Sequence, residues 1–292
     1  MKVLVTGACG FLGKYVVRRL QENEAIDEVV MFDNLDPLCG GTPEPGYINI
    51  DVRDKNSLAD AIDRLRITHI IHLAAYGRNL TCQDHPEAAH AVNVQGTLNI
   101  LDIAADRLSQ IERVVCASSN IVLSDQPTVY KETKQRVEEF VSLYAMFANV
   151  SCCALRPSNI YGKGQSKTEY QPCAFSGLDS SYKKNGYFTV TGDGTQSRDW
   201  THAEDVARAF ELALFSNYTG PALDVCTGQL TSINEISQML EVPVVYTVAR
   251  PGDAKELISN PVPAQEKLGF SSRVRLENRI WDAFPSVPCR VR

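Results

Sequence analysis

The sequence predicts an α/β protein, a doubly wound parallel sheet followed by a smaller C-terminal lobe. Three observations carry that expectation. Short apolar runs alternate with helix-period segments up to about residue 156, and such alternation builds parallel strands with helices on both faces. The first run leads into evenly spaced glycines and a helix, and the second ends in an acid. Beyond Pro157 the chain turns polar and irregular, with shorter elements. The expected division is 1–156 for the sheet and 157–292 for the lobe.

Residues 2–6, Lys-Val-Leu-Val-Thr, read as the first strand. Gly7, Gly10 and Gly13 follow three apart, and Phe11, Leu12, Tyr15, Val16, Val17 and Leu20 fall in a helix expected near 11–22. Glycines here let the chain turn tightly, approach a diphosphate and pack helix on strand, while the helix N-terminus presents free N–H groups. The spacing is one residue longer than the commoner Gly-x-Gly-x-x-Gly. A second strand, 28–32, leads into Asp33, about twenty residues beyond the last glycine. A carboxylate there accepts both ribose hydroxyls and repels a 2′-phosphate, so the cofactor expected is NAD rather than NADP. Strands follow at 47–50, 69–73, 113–117 and 150–155, with helices near 56–65, 87–107 and 130–148. Ligands of such a sheet lie at the strands' carboxyl ends, where Gly7, Asp33, Asp51, Ala74 and Ser119 all fall. In the lobe, strands are expected at 187–190, 222–225 and 244–247 and helices at 203–214 and 233–240.

Tyr130-Lys-Glu-Thr-Lys134 opens the helix whose apolar positions are Val137, Phe140, Val141, Tyr144 and Phe147. Positions four apart share one face, so the phenol and the ammonium can meet. A phenol near pKa ~10 is a poor base at neutral pH, and a neighbouring cation lowers that value.

Joined, these pieces resemble the extended short-chain dehydrogenase/reductase family, the NAD-dependent nucleotide-sugar epimerases and dehydratases, along nearly the whole chain. Thr6-Gly7-Ala-Cys-Gly10-Phe11-Leu12-Gly13 matches the family's glycine motif in a Rossmann-type sheet. Asp33-Asn34-Leu35 is similar to its post-strand acid, and Asp51-Val52 to the pair that flanks adenine. His72-Leu73-Ala74-Ala75, Asn93-Val-Gln-Gly-Thr97 and Ser118-Ser119 match later strand and helix ends. The resemblance implies that these residues, with Tyr130, Lys134 and Pro157, hold the cofactor. It makes Ser119, Tyr130 and Lys134 catalytic: Ser119 bonds a substrate oxygen, Tyr130 shuttles its proton, and Lys134 holds the ribose and biases Tyr130 toward phenolate. Ser118 is the local rival of Ser119. Leu155-Arg-Pro-Ser-Asn159-Ile-Tyr-Gly162, the stretch from Gly192 to His202, and Arg250-Pro-Gly-Asp253 are similar to the substrate-side motifs. There Asn159, Arg198, Arg250 and Asp253 are expected to bind substrate, the two arginines as a diphosphate clamp, because guanidinium pairs with phosphate oxygens through a planar fork. His202 and Asp205 are expected to cap the helix that starts beside them.

Composition excludes other classes. A net charge of −6 without basic runs argues against nucleic acid or an anionic membrane as partner. No apolar stretch approaches the roughly eighteen residues a bilayer span needs. Met1 leads straight into a strand, so no signal peptide is expected. Nine scattered cysteines fit a reduced cytoplasm, and five histidines show no metal-ligand spacing. The resemblance further implies a homodimer, paired through the helices near 87–107 and 130–148, with Ala88, Ala91, Leu98, Val141 and Tyr144 offering apolar surface.

Subclass turns on the residues just after Ser119. The family's dehydratases carry Asp-Glu there, its decarboxylating relatives a Glu two places on and its 3,5-epimerising relatives a Cys. This chain has Asn120-Ile121. With no added acid or base, the reading is 4-epimerisation through a transient 4-keto sugar; the alternative is a keto-sugar reductase or a sugar or small-alcohol dehydrogenase. A non-catalytic dinucleotide-binding protein is disfavoured by the intact Ser119, Tyr130 and Lys134. Three departures bear on substrate: Ser119 and Tyr130 are only eleven positions apart, Lys131 replaces a glycine, and Asn260 stands where Asp is usual.

Overall fold

β1 (Lys2–Thr6) is apolar throughout because both of its faces are covered. Val3 and Val5 enter one core with Val16, Val17 and Leu20 of helix Phe11–Gln21. Leu4 enters another with Leu58 and Ile62 of helix Lys55–Leu65. Successive side chains of a strand take opposite faces, so a run without polar alternation marks a strand buried twice. The computed structural model describes residues 1–165, 173–248 and 255–289. The next strands are β2 (Glu28–Asp33), β3 (Ile48–Asn49), β4 (His69–His72), β5 (Arg113–Ala117), β6 (Cys152–Pro157) and β7 (Asn159–Tyr161). They are followed by β8 (Phe188–Thr191), β9 (Ser197–His202), β10 (Leu223–Val225), β11 (Leu230–Ser232), β12 (Val244–Thr247) and β13 (Glu256–Leu257).

Seven parallel strands form the central sheet in the order β3-β2-β1-β4-β5-β6-β10. The order reverses between β1 and β4, which opens a crevice at the carboxyl ends. β5 and β6 alternate as β1 does: Val115, Cys153 and Leu155 share the core of Val3, while Val114, Cys116, Cys152 and Ala154 share that of Leu4. The second core is completed by Ile100 and Ile103 of helix Gly96–Ala105 and by Val137 and Val141 of helix Val129–Phe147.

The C-terminal half contributes to the same sheet. β10 pairs with β6, and Val206, Ala207 and Phe210 of helix Ala203–Leu214 pack on helix Phe11–Gln21. The rest gathers round a separate core of Tyr161, Phe175, Phe188, Trp200, Ile236 and Phe284. At its centre β9 pairs with β7, β11 and β13, while β8 pairs with β12.

Two local expectations are corrected. The single helix near 87–107 is instead helix Pro86–Ala89, a π-helical stretch His90–Gln95 and helix Gly96–Ala105; wider π turns are frequent where a helix carries a functional group. Of the expected caps, His202 Nδ1 does accept from Glu204 N–H (3.3 Å), but Asp205 does not cap. Asp205 Oδ2 instead accepts from Ser272 Oγ and from Arg273 and Val274 N–H, each at 2.8 Å, and ties down the 272–274 loop. No helix among the described residues is long and apolar enough to cross a membrane.

Candidate active site

The glycine loop is fitted to the backbone opposite it. Gly7 has φ +68°, and a Cβ there would lie 2.7 Å from Ala74 N; at Gly13 a Cβ would lie 2.2 Å from Gly7 O. Both obstacles are main chain and cannot swing aside. The loop thus lies flat against Leu73–Ala74 and ends at the N-terminus of helix Phe11–Gln21. Leu12 packs into the first core, and Phe11 meets Tyr15 edge-on at 5.5 Å. This cradle fits the diphosphate of a dinucleotide.

Asp33 is locked beside it. Its Oδ2 accepts from Cys9 N–H (2.9 Å) and its Oδ1 from Leu35 N–H (2.8 Å), leaving further lone pairs on each oxygen. Asn34 Nδ2 donates to Asp51 Oδ2 (2.9 Å), and the Arg53 guanidinium grips the same carboxylate and holds it down to about 2. Val52 is buried beneath Gly96, where a Cβ would come within 2.7 Å of Val52 Cγ2. Ala75 accepts from the Cys39 thiol at its carbonyl. Asn93, in the π stretch, spends its amide on protein: Oδ1 accepts from Tyr76 N–H (2.7 Å), and Nδ2 donates to Tyr76 O (3.1 Å) and Thr133 Oγ1 (3.0 Å). It ties the end of β4 to the helix that carries Tyr130 and Lys134.

That helix starts where Thr128 Oγ1 accepts from Lys131 N–H (3.1 Å), an N-cap that sets Tyr130 at its second residue. The Tyr130 hydroxyl lies beside that of Ser119, which in turn accepts from Ile121 N–H (3.3 Å). Lys134, 4% exposed, donates to Ala117 O (2.8 Å), and its nitrogen is 6.0 Å from the Tyr130 ring centre. Burial pushes Tyr130 up to about 12, with Ser119 opposing, and pulls Lys134 down to about 8. The shift of Tyr130 runs against the expected bias toward phenolate: burial is its main cause, and the Lys134 ammonium is turned to a backbone carbonyl. The two serines differ in their partners. Ser118 Oγ donates to Glu138 at 2.5 Å, so its hydroxyl is committed elsewhere.

A strand–glycine–helix cradle, an anchored acid and a Ser–Tyr–Lys group now stand on one sheet edge. The model of the NAD-dependent epimerase/dehydratase family matches residues 3–226. The chain belongs to that family. It is an NAD-dependent enzyme of the epimerase type, with NAD as cofactor. The UDP-glucose 4-epimerase of Mycolicibacterium smegmatis is 27% identical over 96% of each chain. The UDP-glucose 4-epimerase of Thermus thermophilus, solved with NAD, has a TM-score of 0.82 at 25% identity over the whole of both chains. The UDP-glucose 4-epimerase of Thermotoga maritima, solved with UDP-glucose, has a TM-score of 0.87 at 23% identity over 98% of each chain, a likeness of fold.

Pro157 ends β6 and pairs with Val225, and Asn159 opens β7 opposite Trp200. Arg198, in β9, donates through Nη1 to Ser197 O (2.8 Å) and Lys255 O (3.2 Å). Arg250 and Asp253 lie outside the described residues. One structural residue here was missed in the sequence. Asp199, 1% exposed, accepts from Thr227, Gly228 and Gln229 N–H and from the Ser158 and Thr201 hydroxyls. It fixes the turn after β10 next to Arg198; the only sequence sign was an acid beside the apolar Trp200. A cavity of about 370 Å³ lies between Cys9, Phe11 and Lys14 of the glycine loop and Gly162, Gln165 and Asp282 of the C-terminal half.

Proposed function

We propose that this enzyme interconverts the 4-epimers of a nucleotide sugar. The observation that carries the reading is the paired Ser119 and Tyr130 hydroxyls with no further acid or base after them: Asn120 is buried and turns its amide to Ser259 (3.5 Å), and Ile121 follows. NAD, when bound, supplies the hydride acceptor and donor. The chain's own residues do the rest. Ser119 donates to the sugar O4, and Tyr130 takes and returns the proton at that oxygen. Lys134 keeps a positive charge beside them and holds the cofactor ribose, and Asp33 receives the adenosine ribose. Arg198, Arg250 and Asn159 bind the nucleotide diphosphate and Asp253 another part of the substrate, which leaves the sugar free to turn between the two faces of the nicotinamide. The relatives named as UDP-glucose 4-epimerases support UDP-glucose as the first substrate to try. A homodimer completes the proposal.

The alternative, a reductase or dehydrogenase of a smaller substrate, is favoured by one observation. The 3₁₀ turn Asn120–Leu123 and the Thr128 cap fill the short connection between Ser119 and Tyr130, so little chain is left to border a sugar. One experiment separates the readings. Purified protein is given UDP-glucose while products and nicotinamide absorbance are followed. UDP-galactose formed without lasting reduction of NAD supports the epimerase; stoichiometric NADH supports the dehydrogenase. No turnover of UDP-glucose, and no nucleotide sugar in the mass spectrum of ligands released from the protein, would overturn the proposal.

A further inference from the structure

Behind Ser119 and Lys134 lies a cluster of charges that the proposed chemistry does not use. Glu138 stands one turn beyond Lys134 on helix Val129–Phe147. One carboxylate oxygen accepts from Ser118 Oγ (2.5 Å) and Arg156 Nε (2.8 Å), the other from Arg156 Nη2 (2.6 Å). Arg156 also faces Asp224 at 3.5 Å, and Asp224 accepts from Asn260 N–H at 2.8 Å. Ser118 and Asp224 are buried, and the Glu138 side chain keeps 15% of its surface. Each partner adjoins a site residue: Ser118 precedes Ser119 at the end of β5, and Arg156 precedes Pro157 at the end of β6. A paired guanidinium–carboxylate fork restricts geometry more than a point contact does, and losing one partner strands the other charge.

We propose that Glu138 is a positioning residue of this active site: its carboxylate fixes the ends of β5 and β6 beneath Ser119 and Lys134. The groups that face Lys134 are Cys116 from β5, Cys82 from helix Asn79–Asp84, His72 from β4, and Tyr130 and Glu138 from its own helix. Burial pulls Lys134 down to about 8; Cys116, Cys82 and Glu138, in that order, would oppose this as anions. Burial, however, raises the Cys116 thiol well above its usual range and Cys82 to about 11, so neither is charged where Lys134 titrates. Tyr130, at about 12, and His72, at about 3, are neutral there too. Arg156 is the neighbouring cation, and Glu138, paired with it, is the carboxylate one turn from Lys134. Without that carboxylate the neutral amine is favoured, and Lys134 releases its proton at lower pH.

The role rests on the epimerase reading only in the use made of that charge, so the decisive measurement avoids turnover. Glu138→Gln keeps the size and removes the charge. The full-length protein, labelled at the lysine Cε, is titrated by NMR, with the Lys134 resonance identified by its loss in Lys134→Arg. The expected midpoint falls by about one pH unit, a tenfold change in the protonation equilibrium. An unchanged midpoint overturns the proposal. In parallel, the basic limb of UDP-glucose turnover should move down by the same amount. A shifted midpoint with no turnover by either protein would leave Glu138 in its role and sink the substrate reading instead. Should Glu138→Gln fail to fold, Ser118→Ala cuts the link to β5 alone. Its turnover should fall several-fold with KM unchanged, and wild-type turnover overturns the proposal.

Discussion

Tyr130 is a phenol held partly out of water at the second position of its helix, with one hydroxyl neighbour. Pushed up to about 12 by burial, it is protonated at neutral pH. Tyr130→Phe should keep the fold and NAD affinity, and lower turnover by roughly two to four powers of ten, the range for a lost acid–base group. Stopped-flow turnover alongside NAD titration checks this, and near wild-type rates would remove Tyr130 from the chemistry. Asp33 makes the second prediction at this scale. Anchored by two N–H groups, it cannot turn away from a 2′-phosphate. NAD should therefore bind at least tenfold better than NADP, about 1.4 kcal/mol, and Asp33→Asn should narrow that gap. Equal affinities of the wild-type protein by calorimetry would contradict it.

Among the elements, the glycine loop is the most constrained by its surroundings. Gly7 combines a left-handed φ with a main-chain obstacle, whereas Gly10 has φ −72° and a Cβ there would lie 3.2 Å from Gly7 O. Gly7→Ala should cost about 1–3 kcal/mol of stability from strain and abolish NAD binding. Gly10→Ala should be milder on both counts. Urea denaturation of the two variants, with and without NAD, gives the comparison; equal effects would mean that the loop is free to move. The helix carrying Tyr130 shows a similar economy. Thr128 supplies the cap, Val137 and Val141 face the core, and Lys134 and Glu138 reach the sheet's carboxyl end from successive turns.

At the scale of the whole molecule, one helix pair leaves apolar surface uncovered. Val141 is 2% exposed and cannot offer a partner the apolar surface the sequence suggested, while Tyr144 is half-buried with its hydroxyl bonded to Asp102. Leu143, Met146 and Phe147 are the exposed apolar residues of that helix, at 48%, 70% and 74%. A dimer formed through it should therefore depend on those three. Sedimentation at micromolar concentration should give twice the chain mass, and Leu143→Lys with Met146→Lys should give monomers. A monomeric wild-type protein would reject the arrangement.

The division of the chain into elements was legible wherever the cause is local. Short unbroken apolar runs and helix-period apolar patterns gave the sheet and its helices, because a strand buried on both faces needs the first and a helix with one buried face the second. Spaced glycines before a helix, an acid after β2 and Tyr130 four residues from Lys134 likewise read directly, since neighbours in sequence are neighbours in space. The lobe was less legible: β7, β11 and β13 are strands of two or three residues, and their pairing with β9 depends on distant chain. Asp205 read as a helix cap and Asp199 carried no local signal, yet each holds a loop far away in sequence. Proton affinities were the other blind spot. A sequence shows which charges adjoin Tyr130 and Lys134, but their desolvation is set by how completely β4, β5 and helix Asn79–Asp84 close around them. Spacing put Tyr130 and Lys134 on one helix face; packing committed the Ser118 hydroxyl to Glu138 and set the direction in which burial shifts Tyr130 and Lys134.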